Sequence, residues 1–151
     1  MNIQPGEIGH IIQLAIAPVF LLTGVGTNML VLTNRLARII DRSRTLEERL
    51  EEPDHAPDKE QAARDELEVL FRRARKINRA IFLSTTCALL ICMVVAALFV
   101  TDALDLRLAS VIAGMFVLAM VSLTGSFVYL LREILLATEF MNQQAKWQRS
   151  G

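Results

Sequence analysis

The chain has 151 residues, of which 53% are hydrophobic and 21% charged, and 16 basic side chains balance 16 acidic ones to give a formal net charge of zero. This average is close to that of a soluble protein, but the charges are confined to the segments between and after three apolar runs. The segregation of charge, and not the average, therefore indicates the class of protein.

Residues 8–34, 80–101 and 108–131 contain no Asp, Glu, Lys or Arg. A helix needs about 20 residues to cross a bilayer, and lipid allows only helices or closed barrels to span it. Uninterrupted runs of 22 to 27 residues exclude the shorter, alternating strands of a barrel. The sequence therefore predicts an all-α membrane protein, a single domain over residues 1–151 with three transmembrane helices. Residues 1–7 carry no Lys or Arg, so we expect no cleavable signal peptide.

The first run is unusually rich in polar and small residues. On a helical wheel, Gln13, Gly24 and Asn28 share one sector with the arginines that follow the run, and Thr27 precedes Asn28. An Asn in mid-membrane is expected to face protein or a water-filled cavity. Two roles remain open for these four side chains: hydrogen bonding between helices, or lining a pore formed by several copies of the first span.

The segment over residues 35–79 has the pattern of an antiparallel coiled-coil hairpin that continues the first two transmembrane helices. Both arms have apolar residues at alternating spacings of three and four, which is typical of a coiled-coil seam. The first seam comprises Leu36, Ile39, Ser43, Leu46 and Leu50, and the second Ala63, Leu67, Leu70, Ala74, Ile77 and Ile81. Pro53, Asp54, Pro57 and Asp58 predict the turn between the arms.

Charge is graded along this hairpin. A basic collar lies next to the membrane and comprises Arg35, Arg38, Arg42, Arg72, Arg73, Lys76 and Arg79. Such a collar is expected to attract anionic lipid headgroups. The far end is acidic, from Glu47 to Glu68, and is interpreted either as a solvated surface or as a surface that docks a partner or gathers cations.

Small residues recur every fourth position in the second run, and Gly114 lies in a similar row of the third. The row of the second run is Ala80, Ser84, Ala88, Cys92 and Ala96. Small residues let helices approach closely in lipid, so both rows are predicted to pack against each other or against a neighbouring subunit. Cys87 and Cys92 are interpreted as reduced packing residues. Residues 132–147 are predicted to continue the third helix beside the hairpin, with contact between Trp147 and the headgroups as the alternative.

The basic residues indicate an orientation. Fifteen of the 16 Lys and Arg residues fall on one side of the predicted membrane, and only Arg107, in the short loop over residues 102–107, falls on the other. Because basic flanks stay in the cytoplasm, the N-terminus is predicted to be outside and the C-terminus inside.

No pattern of residues indicates catalysis. His10 and His55 are isolated, and there is no phosphate loop, dinucleotide fingerprint or nucleophile elbow. We therefore expect no enzymatic activity, no cofactor, no metal site and no nucleic-acid partner.

Three stretches resemble a known family. They are IIQLAIAPVFLLTGVGTNMLVLTNRLARIIDRSRTLEERL, RRARKINRAIFLST and YLLREILLA, and the resemblance covers residues 8–138. They resemble the small bacterial three-span proteins of domain-of-unknown-function family 2721. The resemblance implies a bacterial inner-membrane protein, supplies no activity and no catalytic residue, and draws attention to residues 35–44 and 72–79.

Two functions are compatible with these patterns. The first is a homo-oligomeric ion channel or small-solute pore, in which Gln13, Thr27 and Asn28 line the path and Arg35, Arg38 and Arg42 set the charge preference. The alternative is a membrane-anchored coiled-coil interaction or scaffold module, or an accessory subunit of a larger complex.

Overall fold

Three long helices make up the fold of the described residues. The computed structural model describes the backbone of residues 5–51, 57–104 and 108–147, and the side chains of residue 9 and residues 12–51, 60–101 and 108–135. Helix α1 spans Pro5–Glu51, helix α2 spans Pro57–Leu104 and helix α3 spans Ala109–Trp147. The prediction of an all-helical chain is confirmed.

Proline marks the start of two of these helices. Pro5 and Pro57 are the first residues of α1 and α2, a position that suits proline because the first backbone amides of a helix have no partner within it. Pro18 lies inside α1, and the helix continues through it.

Each helix is long and apolar enough to cross a membrane. The apolar segments fall within Ile12–Glu51, Glu60–Thr101 and Ala109–Leu135. Their large side chains are widely exposed, for example Phe20 at 74% and Phe82 at 70%. Lipid is a favourable solvent for such surfaces, whereas water is not. The three helices thus indicate a membrane protein.

The described residues form two compact units. The first unit contains the described parts of Met1–Leu30 and Phe82–Gly125. Its core is built from small and medium-sized side chains contributed by all three helices. These core residues are Val25, Cys87, Ile91, Ala119 and Leu123.

The second unit contains the described parts of Val31–Ile81 and Ser126–Gly151. Five of its six buried core residues recur at intervals of seven: Leu32, Ile39 and Leu46 on α1, and Leu70 and Ile77 on α2. The sixth is Ala80 on α2. Tyr129 and Leu130 of α3 pack against this core. Every residue of the two predicted seams is buried or half-buried, so the spacing of three and four identified the faces on which α1 and α2 meet.

Some sequence predictions fall outside the described residues. Pro53 and Asp54 of the predicted turn lie outside the described residues, whereas Pro57 and Asp58 are the first two residues of α2. Residues 102–104 of the predicted loop belong to α2, and residues 105–107 lie outside the described part. Helix α3 extends to Trp147, but its side chains beyond residue 135 are outside the described part.

Candidate functional site

A buried carboxylate joins the three helices of the second unit. Oε2 of Glu133 on α3 accepts a hydrogen bond from Nη1 of Arg35 on α1 at 2.7 Å. Oε1 of the same carboxylate accepts two from Arg73 on α2, from Nη2 at 2.6 Å and from Nε at 3.1 Å. Both carboxylate oxygens are therefore used, each by a different helix.

The burial of this cluster is uneven. Glu133 is completely buried, whereas the side chains of Arg35 and Arg73 remain 37% and 25% exposed. A buried charge is tolerated only where it is paired and hydrogen-bonded. Two guanidinium groups and one carboxylate leave one positive charge uncompensated within the cluster. Without the arginines, Glu133 would be a buried charge with no partner, whereas each arginine would still be partly hydrated without Glu133.

This cluster can attach the three helices to one another. The Glu133 carboxylate contacts two guanidinium groups, and no nucleophile or second acid is among its hydrogen-bond partners. Among the side chains that the structure describes, no group of three or more His, Cys, Asp or Glu residues is arranged to hold a metal ion.

Asn28 is buried in the first unit, with 5% of its surface exposed. Its side-chain amide donates to the hydroxyl oxygen of Ser84 on α2 at 2.9 Å. Ser84 itself is completely buried. Of the two roles predicted for Asn28, this geometry favours the hydrogen bond between helices.

The other three candidate residues of the first span face outward from the chain. Gln13, Gly24 and Thr27 are exposed, and nothing lies within 4 Å of the position that a Cβ of Gly24 would occupy. The Thr27 hydroxyl donates to the carbonyl of Thr23 one turn earlier. Of the three residues that the helical wheel places in one sector, Asn28 is therefore buried, and Gln13 and Gly24 are exposed.

Two serines of α3 bind backbone carbonyls of α2, one in each unit. The Ser122 hydroxyl donates to the carbonyl of Leu83, and the Ser126 hydroxyl donates to that of Ala80, both at 2.9 Å. A Cβ on Gly125 would lie 3.2 Å from a methyl group of Leu83. These contacts require the backbones of the two helices to approach closely, as small residues allow.

The predicted small-residue rows are only partly covered within the chain. Ala80 and Ser84 are buried and Ala88 is half-buried, while Cys92 and Ala96 are exposed. Gly114 is exposed as well, with open space around the position of its Cβ. The outer part of both rows is thus available to lipid or to a neighbouring subunit, and packing there stays a prediction.

Four of the seven residues of the basic collar are paired with carboxylates. Besides Arg35 and Arg73, Arg42 donates two hydrogen bonds to Glu66 and Arg72 pairs with Glu68. The hydrogen bond and the negative charge of Glu66 raise the pKa of Arg42 above its ordinary value. Three collar residues form no ion pair with a described side chain. These are Arg38, Lys76 and Arg79.

Sequence reasoning missed Glu133. It is a single acidic residue between Arg132 and the apolar stretch that follows, in a part of the chain where basic residues surround the membrane boundary. A lone carboxylate in such a place is the signal that would have identified it, because an apolar setting forces it to find a cationic partner.

The fold and this cluster define a class: an all-helical protein with three helices of membrane-spanning length, tied together by buried polar contacts. The chain belongs to the family of proteins of unknown function DUF2721, whose family model matches residues 15–143. No curated protein and no solved structure matches the chain. The family is uncharacterised, so membership identifies the relatives of the chain and not its activity.

Proposed function

We propose that the chain is a non-enzymatic interaction module of the bacterial inner membrane. Three helices anchor it, the N-terminus is outside and the C-terminus is in the cytoplasm, and residues 35–79 form a cytoplasmic antiparallel coiled-coil hairpin. The distribution of Lys and Arg supports this orientation.

The observation that carries the proposal is the ion-pair cluster at Glu133. It attaches α3 to both arms of the hairpin, beside a core whose residues recur every seven positions. A hairpin built only to connect two spans needs no such attachment. Such an attachment would increase the affinity of a hairpin that presents a surface to a partner, because a rigid surface loses less conformational entropy on binding.

The acidic part of the hairpin is the surface that we propose for the partner. Glu47, Glu48, Glu51 and Asp65 are exposed, and none forms an ion pair with another described side chain. Their unneutralised charge favours a basic surface on a cytoplasmic protein and would accelerate its association.

Charge reversal tests this surface without disturbing the core. In cells, cross-linking of a triple variant, Glu47→Lys with Glu48→Lys and Glu51→Lys, should lose the adduct that the wild-type chain forms. A matched control replaces the paired acids, Glu60→Gln with Glu68→Gln, and should retain that adduct. Retention of the same adduct by the triple variant would count against the acidic surface.

The orientation has its own test. In a background with both cysteines replaced by serine, a membrane-impermeant maleimide should label Glu48→Cys in inverted vesicles but not in intact cells. Labelling in intact cells would place the hairpin outside and would contradict the proposal at its first step.

A second candidate function is a homo-oligomeric pore around the first span, and one observation favours it. Gln13 exposes an amide on α1 within an apolar run, which is unfavourable against lipid unless another copy or water contacts it. Arg38 would then set an anion preference at the inner mouth, since Arg35 and Arg42 are paired with acids.

Ion flux in reconstituted liposomes distinguishes this candidate. Gln13→Leu should abolish flux while the oligomer persists in mild detergent, and a conservative change on the same exposed surface, Val19→Leu, should leave flux intact. Absence of flux in wild-type liposomes that contain assembled protein would eliminate the pore.

A further inference from the structure

An open groove lies between α1 and α2 in the second unit, with a volume of about 560 Å³. Most of its lining is apolar, with one cation and one amide. The lining residues are Leu36, Ile40, Phe71, Ala74, Arg75 and Asn78. Ile40 and Phe71 are large apolar side chains with almost half of their surface exposed, at 47% and 49%.

The position of the groove along the helices places it close to the membrane surface. Leu36 follows the first apolar run by two residues, and Asn78 precedes the second by two, which corresponds to about 3 Å at a helical rise of ~1.5 Å per residue. Arg75 is five residues before the second run, or about 7 Å. The polar layer on each side of a bilayer is roughly 5–8 Å thick. Arg75 and Asn78 therefore lie at the depth of lipid phosphates.

The charge of the groove selects an anion. Arg75 is exposed and forms no ion pair with any described side chain, and Asn78, one turn further along the same face of α2, is exposed as well. A guanidinium and an amide on adjacent turns offer hydrogen-bond donors to phosphate oxygens.

We propose that this groove binds an anionic phospholipid of the inner leaflet. Arg75 and Asn78 hold the phosphate, Leu36 contacts the glycerol backbone where the acyl chains turn into the bilayer, and Phe71 shields the headgroup from water. The inference rests on the cytoplasmic orientation of the hairpin, but it is independent of the acidic surface proposed for a protein partner. It adds to the general attraction between the collar and the headgroups one site with a defined cation, Arg75.

The test uses the full-length protein in mild detergent and native mass spectrometry with added dioleoyl phosphatidylglycerol. Dioleoyl phosphatidylcholine controls for the acyl chains, and glycerol phosphate controls for the headgroup alone. We expect phosphatidylglycerol adducts at concentrations where the other two probes give few.

Three variants on the same helix locate the site. Arg75→Gln should weaken phosphatidylglycerol binding about fivefold, which corresponds to roughly 1 kcal/mol for one basic residue near a headgroup. Arg79→Gln removes the same charge from an exposed position outside the groove and should change binding less than twofold. Phe71→Ala removes a wall without touching a charge and should also weaken binding, while thermal unfolding stays unchanged.

Several results would overturn the proposal. Equal binding of the two lipids would show that charge does not determine binding. Equal effects of Arg75→Gln and Arg79→Gln would show only a general attraction between basic residues and headgroups, with no defined site. Binding of glycerol phosphate as tight as that of the lipid would make the ligand a soluble phosphate ester. Loss of a dimer in Phe71→Ala without loss of lipid would identify a second copy as the occupant. None of these outcomes affects cross-linking at the acidic surface, so the two proposals fail separately.

Discussion

Replacing Glu133 by Gln should weaken the attachment of α3 to the other two helices more than any other single isosteric change in the second unit. The variant keeps the shape of the side chain but removes the charge that Arg35 and Arg73 share. A hydrogen bond to a charged group contributes about 1.5–3 kcal/mol. Two such partners would give a larger loss of stability than one. Two effects reduce that loss in the variant: water can hydrate both partly exposed guanidinium groups, and the amide oxygen of the new side chain still accepts one hydrogen bond. We therefore expect a loss of about 2–3 kcal/mol in the free energy of unfolding.

Unfolding by SDS in mixed micelles, followed by circular dichroism, measures this loss. The chain supplies a matched control in Glu66→Gln, which breaks an ion pair of similar geometry with Arg42 where both side chains are substantially exposed. Exposed pairs contribute about 0–1 kcal/mol. The difference between the two variants thus measures the combined effect of burial and of the second guanidinium partner.

A double-mutant cycle identifies the partners. Arg73→Gln alone leaves a buried carboxylate with one guanidinium, so it should be at least as destabilising as Glu133→Gln. The double variant should then lose less than the sum of the two single losses, since both remove the same interaction. If Glu133→Gln destabilises no more than Glu66→Gln, or if the losses simply add, the cluster does not attach α3 and the proposed rigid hairpin loses its main support.

Three further changes test the packing of the helices by the same SDS titration. Asn28→Leu should reduce the free energy of unfolding by about 0.6–1.7 kcal/mol, the range of interhelical hydrogen bonds in membranes, whereas Gln13→Leu should not reduce it. Ile77→Ala should reduce it by about 2–5 kcal/mol because it leaves a cavity in a full core, and Leu89→Ala, at a lipid-facing position, should have a much smaller effect. Gly125→Ala should be nearly neutral, since a gain of about 1 kcal/mol in helix propensity offsets the contact with a flexible side chain. Equal losses within either pair, or severe destabilisation at Gly125, would contradict these contacts.

The helices and their contacting faces could be predicted because both follow from local patterns. Runs of 22 to 27 residues without charge have one stable solution in lipid. Spacing of three and four positions places Ile39 and Leu46 on one face of α1, and Leu70 and Ile77 on one face of α2. The structure buries all four. No knowledge of distant contacts is needed for either inference.

The site itself could not be predicted in this way. Glu133 meets partners that lie 60 and 98 positions earlier in the chain, and no periodicity specifies which residues of three different helices stand at one level. The same holds for Asn28, whose partner Ser84 is 56 positions away. Its residue type showed that it needed a polar neighbour, but the choice between another helix and a pore depended on tertiary register.

The polar groups within the apolar part of α1 bear directly on the two proposed functions. Asn28 donates to Ser84, and the Thr27 hydroxyl returns to the carbonyl of its own helix. Gln13 lies only five residues inside the predicted outer edge of the first run, or about 7 Å, so its flexible side chain can reach the headgroup layer as other long polar side chains do. A conduction path must either keep an ion hydrated or replace its hydration shell with polar groups, and the exposed side chains of α1 between these positions are mostly apolar. Asn28 and Thr27 thus have hydrogen-bond partners within one chain, and Gln13 lies near the end of its run. For this reason the interaction module takes precedence over the pore.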